Sequence, residues 1–494
     1  MSDTSGDLYA QLNLTMDATP EEIRSAYRQL ARQHHPDAQG GAGTAMLFRQ
    51  IQDAYETLSD PSRRAAYDRQ QIETGQSPKA PFHWNFQFSR SVLPVIEGEQ
   101  LVYLLFEIAA GQSSKPSERL PLNVCLMLDR STSMQGARLE QTKAAAQRMI
   151  DSLTSSDTMS IVTFSDRAEV IWPSQPMTEP IRAKAKVSAI QASGGTEILQ
   201  GMNAALTELD KHRRDRSINH LIMLTDGQTY GDEEQCLAVA IEAKKRHIGI
   251  SALGIGEDWN DTLLDAIATR SGGVSQYVAS TSEIQSLLHE RLRGLSALYG
   301  DNLRLSVKTT GSTKLQNSFT LLPYIQRIGS ENGSLLLGTL EADKSISGLL
   351  EFTIGAYPPG LHRVTQLQLT ADIPAQNRIG ERLQRDLTFT FSAEAEINSA
   401  APANVLSALA KITIYRMQEG AWQALEKGDI VKATHRLETM ATRLLDLGEP
   451  QLARAALLEA GRLSRSGNTS SAGRKAIKYG TRSLFTPPVK DKVK

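Results

Sequence analysis

Between residues 118 and 298 short unbroken apolar runs alternate with helix-period segments, and this alternation narrows the fold more than any other feature. Val124-Cys125-Leu126-Met127-Leu128 and His220-Leu221-Ile222-Met223-Leu224 are such runs, and Ser160 to Phe164 and Gly249 to Ile255 read the same way. An apolar run without polar alternation is a strand buried on both faces. Helical patterns fall between them, at about 139–153, 181–190, 198–209 and 233–246. Strands and helices in turn make a mainly parallel sheet covered by helices. Ligands of such sheets bind outside the carboxyl ends of the strands.

Polar residues collect at those ends. Asp129-x-Ser131-x-Ser133 follows the first run, Asp226-Gly227 follows the Leu221–Leu224 run, and Gly194-Gly195-Thr196 precedes a helix. Two carboxylates and three hydroxyls are hard oxygen donors. Such a set, without His or Cys, favours Mg²⁺, Mn²⁺ or Ca²⁺ over zinc. The competing reading is that Asp129, Ser131 and Ser133 only cap the turn and helix that follow, with Thr196 an N-cap. DxSxSMxG from Asp129 to Gly136, then Gly-Gly-Thr196, then Thr-Asp226-Gly, in this order, resembles the von Willebrand factor A (VWA) domain and its metal-ion-dependent adhesion site. The resemblance implies an α/β Rossmann-like fold. It also implies direct metal ligation by Ser131, Ser133 and Thr196, with Asp129 and Asp226 often acting through water. A carboxylate from a protein partner would complete the coordination. Arg130 and Thr132, at the variable positions, are expected to tune the partner.

Residues 7–69 read differently. Thr19-Pro20-Glu21-Glu22 is a capping box with proline at the first helical position. Ile23, Ala26, Tyr27, Leu30 and Ala31 follow at helical spacing, and Arg24, Arg28 and Arg32, four apart, form a basic stripe beside them. Pro36 ends this helix near His35. A second amphipathic pattern carries Phe48, Ile51, Tyr55 and Leu58, and Asp60-Pro61 opens a short third piece ending near Asp68. Tyr27-Arg28-x-Leu30-Ala31-x-x-x-His35-Pro36-Asp37 between two helices resembles the J-domain of Hsp70 co-chaperones. The resemblance implies an all-α domain that stimulates the ATPase of a DnaK-like Hsp70. Arg24, Tyr27, Arg28, His35, Pro36 and Asp37 would be the contacts. Exposed arginines on one face suit a carboxylate-rich surface. Two departures are Ala38, where the family often has a basic residue, and the lack of a zinc-binding CxxCxGxG region.

The remaining segments complete a multidomain layout. The J-domain is assigned to 1–69 and a polar linker to 70–83. A β-sandwich is built from 84–117 and 299–398, with the VWA domain of 118–298 inserted in it. The sandwich rests on Leu101 to Ile108 before the insertion and on alternating segments such as Leu303–Val307, Gly348–Ile354 and Asp386–Phe391 after it. Residues 402–465 form a helical C-terminal segment, broken at Gly428-Asp429 and Gly448-Glu449-Pro450. Residues 466–494 are expected to be a basic, disordered tail, since 474–494 holds seven basic residues against Asp491.

Composition bounds the function. The chain of 494 residues has 54 Lys+Arg against 55 Asp+Glu, a balance that argues against a dedicated nucleic-acid binder. Its two cysteines, Cys125 and Cys236, are too few for a disulfide scaffold and read as reduced thiols. The polar N-terminus lacks a signal-peptide pattern, and the apolar stretch 92–110 carries Glu97, Glu99 and Glu107, so neither a leader nor a membrane span is expected. A cytoplasmic protein follows. GxSxG, Walker A, HExxH and GxGxxG motifs are missing from suitable contexts, so no enzymatic activity is expected. The expected function is an Hsp70 co-chaperone whose metal-dependent VWA domain selects clients. The alternative is a metal-dependent scaffold in which the J-domain only docks an Hsp70.

Overall fold

A computed structural model describes residues 8–12, 14, 18–33, 42–73, 80–111, 119–214, 216–229, 231–395 and 400–485. The chain divides into two compact units, Met1–Trp84 with Gly111–Ser114, and Asn85–Ala110 with Lys115–Lys494.

In the first unit the helices are Leu8–Gln11, Pro20–Gln33, Ala42–Leu58 and Pro61–Glu73. The capping box forms as its residues require. Thr19 N donates to Glu22 Oε2 at 2.6 Å, and Glu22 N donates to Thr19 Oγ1 at 3.3 Å. These bonds, the backbone one foremost, hold the exposed Glu22 carboxyl below the usual range. Tyr9, Leu12, Ile23, Ile51, Ala54 and Leu58 form the core. Tyr9 also anchors the last helix. Its hydroxyl donates to Asp68 Oδ1 at 2.7 Å and accepts from Arg64 Nε at 2.8 Å, and Arg64 Nη2 reaches Ala18 O at 2.8 Å. This helix continues past Asp68 to Glu73, into the segment expected to be linker. Arg69, Gln70, Gln71 and Glu73 are good helix formers, and no Gly or Pro intervenes before Gly75.

The second unit holds three sheets. Strand Gln100–Ala110 pairs antiparallel with Ser345–Ile354 over its length, from Gln100 opposite Ile354 to Ala109 opposite Ser345. The chain before and after the α/β domain thus shares one sheet, and that domain is an insertion in a β-sandwich. The facing sheet runs 330–331, 334–341, 298–309, 360–373, 378–392 and 92–94. Strand Thr313–Leu322 also pairs with Ser345–Ile354.

The inserted sheet runs, in spatial order, Ala168–Pro176, Thr158–Phe164, Leu122–Asp129, Ile218–Thr225, Ile248–Ile255 and Ser275–Val278. All neighbours are parallel except the first pair. Val124, Leu126 and Leu128 face one core with helices Ala137–Asp151, Pro180–Ser188 and Ile284–Ser296. Cys125 and Met127 face the other, with helices Ile198–Lys211, Glu233–Lys245 and Asp261–Ser271. Two buried faces explain the unbroken apolar runs. The edge strand Ala168–Pro176 escaped notice because Pro173, Pro176 and Glu169 interrupt any pattern, as suits an edge.

Helices Ala403–Glu426, Ile430–Asp446 and Pro450–Ser466 follow. Gly428, Gly448 and Gly467 end them in the left-handed conformation, with φ of 76°, 78° and 74°. Ala408, Ile412 and Tyr415 pack on Phe319, Leu321 and Leu349 of the sandwich. The expected disordered tail is corrected over Ser471–Arg482, which is helical. Ser470 caps it, accepting from Gly473 N at 3.0 Å, and Ile477 is fully buried. Lys478 and Arg482 pair with Asp261 and Asp265, and Lys475 donates to backbone carbonyls, partners that composition does not reveal. Among the described residues no helix is long and apolar enough to cross a membrane.

Candidate functional site

Strand Leu122–Asp129 delivers Asp129 to its carboxyl end, and strand Ile218–Thr225, next to it, delivers Asp226 one residue beyond its own end. Both carboxylates are sealed from solvent, at 0% and 1% exposure. Asp129 Oδ1 accepts from Ser131 N at 2.8 Å and Oδ2 from Thr225 Oγ1 at 2.6 Å. Burial pushes the Asp129 carboxyl above its ordinary value, although the bonds from Ser131 and Thr225 pull the other way. Ser131 Oγ lies 3.0 Å from Ser133 Oγ, and Ser133 Oγ donates to Asp226 Oδ1 at 2.7 Å. Ser131 is buried, whereas Ser133 faces solvent. The row is therefore open at one end.

Thr196 comes from a separate loop. A Cβ on Gly227 would stand 2.7 Å from Thr196 Oγ1, so the threonine lies directly against the backbone beside Asp226. It does not cap the helix after it. Glu197 holds the N-cap position, with no side-chain bond. That helix end is served instead by Thr229 Oγ1, which accepts from Ile198 N at 3.4 Å, and by Asp232 Oδ2, which accepts from Leu199 N at 3.3 Å. Asp129, Ser131, Ser133, Thr196 and Asp226 thus meet in one place.

The loops are fastened together by residues with other expected roles. Thr132 Oγ1 donates to Gly194 O at 3.0 Å, and Arg130 Nη1 donates to Ser193 Oγ at 2.5 Å. Arg130 and Thr132 therefore tie the two loops together. Asp166 Oδ1 accepts from Gly195 N at 2.7 Å, and a Cβ on Gly194 or Gly195 would strike its carboxylate. The glycine pair signals this close approach. Asp166 and Arg138 join the site without any motif in the sequence to mark them. Arg138 Nη1 lies 2.5 Å from Asp226 Oδ2. Among the described residues no three His, Cys, Asp or Glu gather in metal-binding fashion, so any cation here depends on the hydroxyls.

In the first unit Arg24 and Arg28 are exposed, and Arg28 Nε donates back to Arg24 O at 3.3 Å. Tyr27 is half-buried and stacks on Tyr55, with ring centroids 4.1 Å apart and planes at 14°. Its ring thus joins the two long helices. His35, Pro36 and Asp37 lie outside the described residues.

Comparison with known proteins agrees with this layout. Residues 7–68 match the family model for the DnaJ domain, 123–290 that for the von Willebrand factor type A domain, and 403–487 that for the Sll0103-like, C-terminal alpha-helical domain. The uncharacterized protein sll0103 of Synechocystis sp. is 27% identical over 391 residues, covering 77% of this chain and 92% of that one. The chaperone protein DnaJ of Gloeobacter violaceus is 52% identical over 63 residues, which are 13% of this chain and 16% of that protein. The solved von Willebrand factor type A structure from Catenulispora acidiphila superposes with a TM-score of 0.64 at 16% identity, covering 82% of this chain and 96% of that one, and so shares the fold. The chain is a multidomain protein that joins an N-terminal DnaJ domain to a von Willebrand factor type A domain.

Proposed function

We propose that this protein is an Hsp70 co-chaperone in which the DnaJ domain stimulates ATP hydrolysis by a DnaK-like Hsp70, while the VWA domain selects clients through a metal-dependent site. The observation that carries the reading is the convergence of Asp129, Ser131, Ser133, Thr196 and Asp226 from three loops onto one partly open cluster. Two buried carboxylates are costly without compensating positive charge, and Arg138 supplies one only at Asp226. The donors are all hard oxygens, which fits Mg²⁺, Mn²⁺ or Ca²⁺. Ser131, Ser133 and Thr196 would hold the ion, with Asp129 and Asp226 behind them. A bound divalent ion would supply Lewis acidity toward a partner's carboxylate. The chain's own part is to fix the hydroxyls through Asp129 and Asp226, and to leave Ser133 exposed toward the partner.

Arg24, Arg28 and the His35-Pro36-Asp37 tripeptide would engage the Hsp70, with Tyr27 bracing the arginines' helix against Tyr55. An exposed cationic face steers and holds an acidic partner surface. Such a partner places the protein in the cytoplasm.

Capture of partners on wild type, Asp37→Asn and Asp129→Ala, in Mg²⁺ and in chelator, tests the division of labour. The expected result is loss of the Hsp70 from Asp37→Asn only, and loss of other partners from Asp129→Ala and from wild type in chelator. Identical partner sets from all three proteins contradict the proposal.

A further inference from the structure

Helix Ala137–Asp151 begins beside the carboxylate cluster, and its second residue points a guanidinium into it. Arg138 Nη1 lies 2.5 Å from Asp226 Oδ2 and 3.5 Å from Ser133 O. Asp226 is sealed from solvent, while a third of the Arg138 side chain remains exposed. One oxygen of Asp226 therefore faces Ser133 and the other faces a cation that the chain carries itself.

The guanidinium is backed from behind. A Cβ on Gly256 would stand 3.0 Å from Arg138 Nη2 and 3.3 Å from Cζ, so the group lies close against a glycine whose φ is +71°. The loop holding Gly256 is fixed at several points. Trp259 Nε1 donates to Gly256 O at 2.9 Å, Gln228 Nε2 to Asp258 O at 2.6 Å, and Lys475 Nζ to Trp259 O at 2.7 Å. Lys475 belongs to the C-terminal helix and also donates to Glu257 O. Arg138 is thus wedged between Asp226 and a braced loop, with a path outward to solvent.

We propose that Arg138 is a resident counter-ion that weakens cation binding at the Asp129–Asp226 cluster, so that a divalent ion must displace or repel its guanidinium to be held. The proposal rests on the metal reading above and deepens it. The charge, rather than the side chain's bulk, sets the effect. Even with the screening of bulk water, a positive charge a few ångström from a divalent ion shifts affinity by about tenfold, and a cluster sealed from solvent screens less. The same guanidinium gives the site a second cationic group, so it continues to attract carboxylates whatever ion is bound.

The test is calorimetric titration of the full-length chain with Mg²⁺ alone, using wild type, Arg138→Gln, Arg138→Lys and Asp226→Ala. Arg138→Gln is expected to bind Mg²⁺ at least about tenfold more tightly than wild type. Arg138→Lys, which keeps the charge, is expected to stay within about twofold of wild type. Unchanged or weaker binding by Arg138→Gln, with folding intact by circular dichroism, overturns the proposal and leaves Arg138 a structural brace. Equal tightening by Arg138→Lys and Arg138→Gln also overturns it, because shape rather than charge would then govern. Wild-type binding that survives Asp226→Ala unchanged, or that is missing from every variant, removes the metal reading itself and the proposal with it.

Discussion

Two short basic helices in this chain look alike on paper and fare differently in the fold. Pro20–Gln33 carries Arg24, Arg28 and Arg32, all of them exposed. Ser471–Arg482 carries Lys475, Lys478 and Arg482 at nearly the same spacing, and all three are tied down. Lys475 is 3% exposed and holds the carbonyls of Glu257 and Trp259. Lys478 and Arg482 both reach Asp265 Oδ2 at 2.8 Å, and Tyr479 donates to Asp265 Oδ1 at 2.9 Å. The Tyr479 ring centroid lies 5.9 Å from those of both Trp259 and Tyr277. The difference lies in what the fold sets opposite each helix. Asp261 and Asp265, on helix Asp261–Ser271, take up Lys478 and Arg482, and backbone carbonyls take up Lys475, whereas the first stripe stays exposed.

The largest effect that could break this contrast comes from Asp265→Ala. It leaves the largely buried Arg482 and the Tyr479 hydroxyl without their carboxylate, and Lys478 with Asp261 alone, at a cost of about 3 kcal/mol in stability. Urea unfolding followed by tryptophan fluorescence measures it. A loss under about 1 kcal/mol would mean that the second helix is held no more firmly than the first is.

Acid titration sharpens the contrast, because two groups in the VWA domain respond in different windows. His220, buried in strand Ile218–Thr225 and 2.8 Å from Ser251 Oγ, is pushed down to about 3 by burial and then by Arg291. Its folded value lies below its unfolded one, so the unfolded chain takes up the proton first. Stability is complete well above pH 6.5 and falls as pH drops toward 3, by about 2 kcal/mol between pH 7 and 5. Asp265 responds later. Burial raises its carboxyl, but Arg482 and Lys478 more than offset this and hold it below the ordinary 3.8. Its contribution is complete above that value and disappears as pH falls through the folded value. Stability curves of wild type and His220→Gln from pH 7 to 5 should therefore diverge in slope. Parallel curves would count against His220.

The smallest effect on stability is expected from Arg24→Ala, Arg28→Ala or Arg32→Ala, each within about 0.5 kcal/mol of wild type. Their effect should instead fall on binding to a DnaK-like Hsp70, which should weaken and lose part of its salt dependence. Unaltered Hsp70 affinity at low salt in all three variants would make the stripe an ordinary solvated face.

The buried strands were plain in the sequence because both faces are apolar, and the order of the three loop motifs was enough to place the cluster. The insertion into the sandwich could be read from the alternation of Leu101 to Ile108 and its counterparts after residue 299. What escaped depends on distant partners. Arg138 reads as the start of an amphipathic helix, and only the approach of Asp226, 88 residues away, gives it a role. Helix Ser471–Arg482 reads as a charged tail until Asp265, 217 residues from Arg482, supplies the opposite charge. Local pattern records what a segment can form, and long-range pairing decides which charges are spent inside the molecule.

The most direct measurement is the single-turnover ATPase rate of a DnaK-like Hsp70 with the full-length chain and with its Asp37→Asn variant. The account predicts clear stimulation by wild type and a near-basal rate with Asp37→Asn. Stimulation of equal size by both proteins, or by neither, would contradict it.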